Sequence, residues 1–81
     1  MTILLFGITK DIVGSSSLSM PVSETVQLHT VGELKAHLCN NYPELGKLSS
    51  LAVAVNNEYA EENAPIDKFD EIALIPPVSG G

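Results

Sequence analysis

The last six residues, Pro76-Pro77-Val78-Ser79-Gly80-Gly81, have types and spacing that suit a reaction. Two prolines in succession stiffen the chain, and at the extended rise per residue six residues reach outward by as much as about 20 Å. Gly80 and Gly81 have no side chains. They can pass down a channel too narrow for a β-carbon and leave the terminal carboxylate open to attack at a nucleotide α-phosphate. Such an end suits carboxyl activation. The plain alternative is a frayed polar terminus, since chain ends are ordinarily mobile.

A second candidate is a surface. Phe6, Ile8, Ala73 and Ile75 alternate out of two apolar runs toward a face that a single helix on the other side of a sheet would leave uncovered. An uncovered apolar face marks a partner interface, and Tyr59 extends it. Phe6, Tyr59 and Ile75 are the residues assigned to it. Alternatively, loops or the segment 23–29 fold over this face.

Other side chains suggest no chemistry. His29 precedes a helix start and His37 flanks an apolar stripe, and neither has a partner in the pattern. Cys39 is the one cysteine, which forbids an intramolecular disulfide and any zinc site of the usual kinds, so no metal is expected. A reducing cytoplasm is the expected compartment. Phosphate-binding glycine loops and a nucleophile with its base are absent, so the chain is not expected to be an enzyme on its own.

These residues must be positioned by a small domain. Eighty-one residues suffice for one hydrophobic core, with 44 % apolar and 17 % charged residues. Ten acidic residues against four lysines and no arginine give a net charge of −6. That balance repels nucleic acid and anionic membrane surfaces and supplies no guanidinium fork for phosphate. The apolar run Ile3 to Ile8 follows no basic residue and is far shorter than the roughly 20 residues that span a bilayer.

The first eight residues read as a buried strand, with Ile3 and Leu5 on one side and Leu4, Phe6 and Ile8 on the other. A polar break through Lys10-Asp11 leads to a second, half-buried strand carrying Leu18, Met20 and Val22. Pro21 confines that strand to a sheet edge or ends it. Thr30-Val31-Gly32-Glu33 is a capping box, and Val31, Leu34, Leu38 and Tyr42 form one apolar stripe, predicting a helix over about 31–41 that Pro43 stops. A connector from Pro43 to Ser50 precedes a strand over 51–55. Asn56-Asn57 then turns the chain into a short strand through Tyr59. Acidic residues and Pro65 mark 61–70 as solvated loop, and 71–75 is the last strand, apolar on both faces.

This order predicts an α+β domain over 1–75, with one main helix on one face of a mixed sheet of about four to five strands. The first and last strands would be central and parallel. That is the ubiquitin-like β-grasp arrangement, followed by an extended diglycine tail over 76–81.

Over nearly its whole length the chain resembles the MoaD-type sulfur carriers, the small subunits of molybdopterin synthase. The resemblance rests on Leu5-Phe6-Gly7 with Asp11-Ile12-Val13-Gly14, Thr30-Val31-Gly32-Glu33-Leu34, Ala54-Val55-Asn56, Asp70-Glu71-Ile72-Ala73 and the ending Pro76-Pro77-Val78-Ser79-Gly80-Gly81. The ending is the most specific segment, since the double proline separates it from the bare diglycine of ubiquitin and of the thiamine and tRNA-thiolation carriers.

The resemblance implies that a MoeB-type enzyme uses ATP to adenylate the Gly81 carboxylate, and that a sulfur donor then converts it to a thiocarboxylate. It also implies that the tail enters the active site of the large synthase subunit, within a heterotetramer, and gives sulfur to cyclic pyranopterin monophosphate. No cofactor bound by this chain is implied. Many family members have an Arg-Glu pair where this chain has Lys10-Asp11, which keeps the charges and loses the bidentate fork. Carriers for thiamine or tRNA thiolation, a ubiquitin-like protein modifier, and a binding module with an incidental diglycine are the competing readings.

Overall fold

The computed structural model describes residues 1–48 and 50–76. Five strands form one mixed sheet: β1 (Thr2–Leu5), β2 (Ser17–Ser19), β3 (Ala52–Val55), β4 (Glu58–Ala60) and β5 (Glu71–Ile75), in the order β2-β1-β5-β3-β4. β1 and β5 are parallel neighbours, with Ile3 opposite Ile72 and Leu5 opposite Leu74. β2 lies antiparallel on β1, and β3 lies antiparallel to both β4 and β5. The central parallel pair and the edge position of β2 agree with the sequence. The arrangement is the ubiquitin-like β-grasp.

The main helix α3 spans Val31–Asn41. Its N-terminus is closed as the capping box predicts: Glu33 N–H donates to Thr30 Oγ at 3.2 Å, and Thr30 N–H donates to Glu33 Oε1 at 3.1 Å. Strand alternation and helical period meet in one core. Ile3, Leu5, Val53, Ile72 and Leu74 point from the sheet to Val31, Leu34 and Leu38 of the helix, and all eight are buried. Asn56 and Asn57 turn β3 into β4 with φ of 51° and 71°, a conformation that asparagine tolerates better than most residues.

Several segments depart from the sequence reading. The first strand ends at Leu5, and the supposed polar break is a helix, α1 (Ile8–Val13). Gly7 opens that helix at φ 56° and Gly14 closes it at φ 87°, while Ile12 and Val13 pack on the core. Ile8 therefore belongs to α1 and not to a strand. β2 stops at Ser19, and Val22 begins a short helix, α2 (Val22–Thr25), leaving Val22 exposed rather than half buried in a strand.

The connector after Pro43 contains another short helix, α4 (Pro43–Gly46), with proline at its first position, where no N–H is needed, and Leu45 buried. The acidic loop is not wholly solvated. Ala64 and Ile66 pack against the core, and Val31 N–H donates to Ala64 C=O at 3.0 Å.

Candidate functional site

The face of the sheet away from α3 is apolar in its middle, with Thr2, Ser17, Ser19 and Glu71 toward its margins. The register lines up Leu4 with Ala73, Ala73 with Ala54, and Ala54 with Tyr59 in one row across four strands. Ala52 stands opposite Ile75 on the same face. The two small side chains, Ala73 and Ala54, form the floor of a depression of about 320 Å³, and Leu4, Phe6, Ile75 and Tyr59 stand around it. Its rim is polar, with the Asn57 amide and the Glu71 carboxylate. Phe6 is 50 % and Tyr59 75 % exposed, while Ile75 is half buried. An isolated Tyr on a surface calls for no explanation, but Tyr and Phe converging on a two-alanine floor form a contiguous apolar socket.

The three residues assigned to an interface, Phe6, Tyr59 and Ile75, all line this one depression. Ile8 does not join them: it is half exposed on α1 and does not line the depression. The segment 23–29 does not line it either, since Thr25 is buried and Leu28 packs on the core. Ala54 is a residue the sequence reading missed. Alternation in the run 51–55 places it opposite Val53, but an alanine in an apolar run reads as filler until its cross-strand neighbours are known.

The turn that presents Phe6 is tightly built. Thr9 is fully buried, and its hydroxyl accepts from Phe6 N–H at 2.9 Å while donating to Phe6 C=O. Thr9 N–H also donates to Phe6 C=O, at 3.1 Å. This two-way clasp fixes the backbone between β1 and α1. The sequence offered no sign of it, because a threonine before Lys10-Asp11 looks like surface.

Pro76 follows β5 directly and is half buried beside Gly7. The root of the proposed tail thus adjoins the Phe6 turn. The other tail residues, Pro77, Val78, Ser79, Gly80 and Gly81, lie outside the described residues. Among the described residues no group of three or more His, Cys, Asp or Glu side chains is arranged to hold a metal ion. No helix among them is long and apolar enough to cross a membrane.

Comparison with known proteins agrees with this architecture. The molybdopterin synthase sulfur carrier subunit of Dictyostelium discoideum is 37 % identical over 84 residues, covering 98 % of this chain and 93 % of that protein. The subunit of the same name from Arabidopsis thaliana is 34 % identical, covering 98 % and 80 %. A crystal structure of small archaeal modifier protein 1 from Haloferax volcanii matches with a TM-score of 0.76 at 26 % identity, covering 96 % of this chain and 97 % of that one. The model of the ThiS family matches residues 3–81, and the chain belongs to that family.

Proposed function

We propose that this chain is the sulfur carrier subunit of a molybdopterin synthase, with the Gly81 carboxylate as the group that carries sulfur. The observation that carries the reading is the near full-length similarity to sulfur carrier subunits of that enzyme in two unrelated organisms. The geometry supports it, since an uncovered apolar socket lies beside the strand that leads into Pro76.

In the proposed cycle the Gly81 carboxylate attacks the α-phosphate of ATP on a MoeB-type enzyme, releasing pyrophosphate and leaving an acyl-adenylate. A sulfur donor displaces AMP to give the thiocarboxylate. The carrier then docks through Phe6, Tyr59 and Ile75 on the large synthase subunit, in a heterotetramer, and Pro76, Pro77, Val78, Ser79, Gly80 and Gly81 enter its active site. There the thiocarboxylate sulfur, a strong nucleophile, passes to cyclic pyranopterin monophosphate, and the carboxylate is regenerated by water. A closed channel protects the acyl species from premature hydrolysis. The catalytic residues are those of the large subunit, ATP belongs to the activating enzyme, and the cycle runs in the cytoplasm.

The test is the intact mass of the protein isolated from its own cells with the pathway active. A species heavier by the difference between sulfur and oxygen, mapped to Gly81, is expected. Only unmodified carboxylate in the presence of a functional activating enzyme would overturn the reading.

The likeness to a small archaeal modifier protein favours one second reading, attachment through Gly81 to lysines of other proteins. Covalent adducts larger than the 8.6 kDa chain on a denaturing gel would support it.

A further inference from the structure

The pairing of β3 with β5 continues one position beyond the last strand pair, and a side chain completes it. The register that sets Val55 opposite Ile72 brings Asn56 opposite Glu71. Asn56 N–H donates to Glu71 C=O at 2.8 Å, the bond expected of the next antiparallel pair. The return bond does not go to the Asn56 main chain. Glu71 N–H donates instead to the side-chain carbonyl, Asn56 Oδ1, at 3.0 Å. The Asn56 backbone is thereby released to turn at φ 51°, while its side chain ends the ladder.

The same amide has a second hold. Asn56 Nδ2 donates to Asp70 Oδ1 at 2.9 Å, and the other Asp70 oxygen accepts from Asp67 N–H at 2.7 Å. Asp67 is itself fixed: its Oδ1 accepts from Phe69 N–H at 2.9 Å, and its C=O accepts from Asp70 N–H at 3.0 Å. The turn after β3 is thus pinned to the loop that leads into β5. Asn56 must aim its oxygen at Glu71 and its amino group at Asp70, and Asp70 must accept on both sides, so each side chain has one arrangement that serves.

This pinned turn carries part of the socket. Asn57 and Tyr59 follow Asn56 closely in the chain, and both line the depression, as does Glu71. β4 is three residues long, lies at the edge of the sheet and has β3 as its one sheet neighbour. Ala60 anchors its far end against the core. Its near end is the Asn56–Asn57 turn, so the bonds at Asn56 set where Tyr59 stands beside the floor of Ala54 and Ala73. The side-chain bonds are exposed and compete with water, so they contribute little to stability. Their effect is on geometry.

We propose that Asn56 and Asp70 are positioning residues for docking, which hold the β3–β4 turn against the start of β5 and so hold Tyr59 and Asn57 in the shape a partner meets. The inference rests on the reading that the face of Phe6, Tyr59 and Ile75 docks on the large synthase subunit. Neither Asn56 nor Asp70 lines the depression, so both act through residues that do. The network can be exchanged end for end. In the Asn56→Asp/Asp70→Asn double variant the new carboxylate accepts from Glu71 N–H, and the new amide accepts from Asp67 N–H while donating to that carboxylate. Every bond returns at unchanged net charge. Asn56→Asp alone sets two carboxylates against each other, and Asp70→Asn alone leaves one donor facing another.

The full chain is compared as wild type, the two single variants, the double variant and Thr30→Ala, which removes a helix cap and touches none of these bonds. The Tyr59 ring signals are read by NMR in the free chain, and affinity for the large synthase subunit is read by titration calorimetry at equal folded fraction. Each single variant is expected to shift the Tyr59 ring signals and to bind at least fivefold more weakly. The double variant should recover the ring signals and come within twofold of wild-type affinity, and Thr30→Ala should match the wild type on both. An unmoved Tyr59 ring, single variants that bind like the wild type, or a double variant no better than the singles would overturn the proposal. So would an equal loss of affinity in Thr30→Ala, which would assign the effect to stability. A wild type that does not bind the large subunit would overturn the proposed function and this role with it, whereas unchanged affinity in the single variants beside a binding wild type overturns this role alone.

Discussion

A β-carbon on Gly7 would stand 3.0 Å from Cγ of Pro76, so the turn after β1 and the exit from β5 meet with no room for a side chain. Gly7 also sits at φ 56°, where L-residues are strained. Gly7→Ala is expected to lower stability by about 1 to 3 kcal/mol from the positive-φ backbone alone. It should also push Pro76 aside. Urea denaturation reads the first effect. The rate of adenylation of the variant, compared at equal folded fraction, reads the second and should fall.

Thr9→Val removes both hydroxyl bonds to Phe6 while keeping shape. The expected loss is about 1 to 2 kcal/mol, from a neutral hydrogen bond and an N–H left without its acceptor. Thr9→Ser keeps the hydroxyl and should recover most of that loss. Thermal denaturation of the wild type and the two variants checks the order.

Phe6→Asp places a charge on the rim of the apolar socket. Half of Phe6 is already in water, so the variant should lose no more than about 1 kcal/mol of folding stability. Affinity for the large synthase subunit should fall at least tenfold by titration calorimetry. A large drop in melting temperature would instead assign Phe6 to the core.

Removal of Gly81 should abolish thiocarboxylate formation in the reconstituted system and leave the melting temperature unchanged. Continued molybdopterin formation by the shortened chain would contradict the assignment of Gly81 as the sulfur-bearing residue.

Thr30→Ala removes the oxygen that accepts from Glu33 N–H at the start of α3. A cost of about 1 kcal/mol is expected, the usual worth of an N-terminal cap, measured as a lower urea midpoint with an unchanged slope.

The long helix and the apolar strand runs were legible in the sequence, and the short helices were not. α3 announced both its start and its stripe, because Thr30 and Glu33 satisfy backbone donors that only a helix leaves open, and Leu34 and Leu38 repeat at its period. The strands β1, β3 and β5 were legible for another reason, their apolar runs being too short for a helix and bounded by turn residues. α1 and α4, at six and four residues, are too short to show a period. Gly7 read as part of the first strand and Pro43 only as the stop of α3, when each also begins a helix.

The socket was half legible. Phe6, Ile75 and Tyr59 stood out as large side chains on a face without a helix. The Ala54–Ala73 floor depends on which strands are neighbours, and that is a property of the β3–β5 register that no local pattern encodes. The burial of Ile66 within an acidic loop depends likewise on a partner distant in sequence, since Ile66 N–H donates to His29 C=O at 3.0 Å.

The parallel pairing of β1 with β5 joins the first strand of the chain to the last. Contacts between segments so far apart close a long loop and are slow to form, because the entropy of closure must be met before the contact stabilises anything. The strand that forms this late contact is also the one that leads into Pro76. Closure of the core and placement of Pro76 at its edge are thus a single kinetic event, and under the proposed function a partly folded chain would offer the Gly81 carboxylate without its docking face.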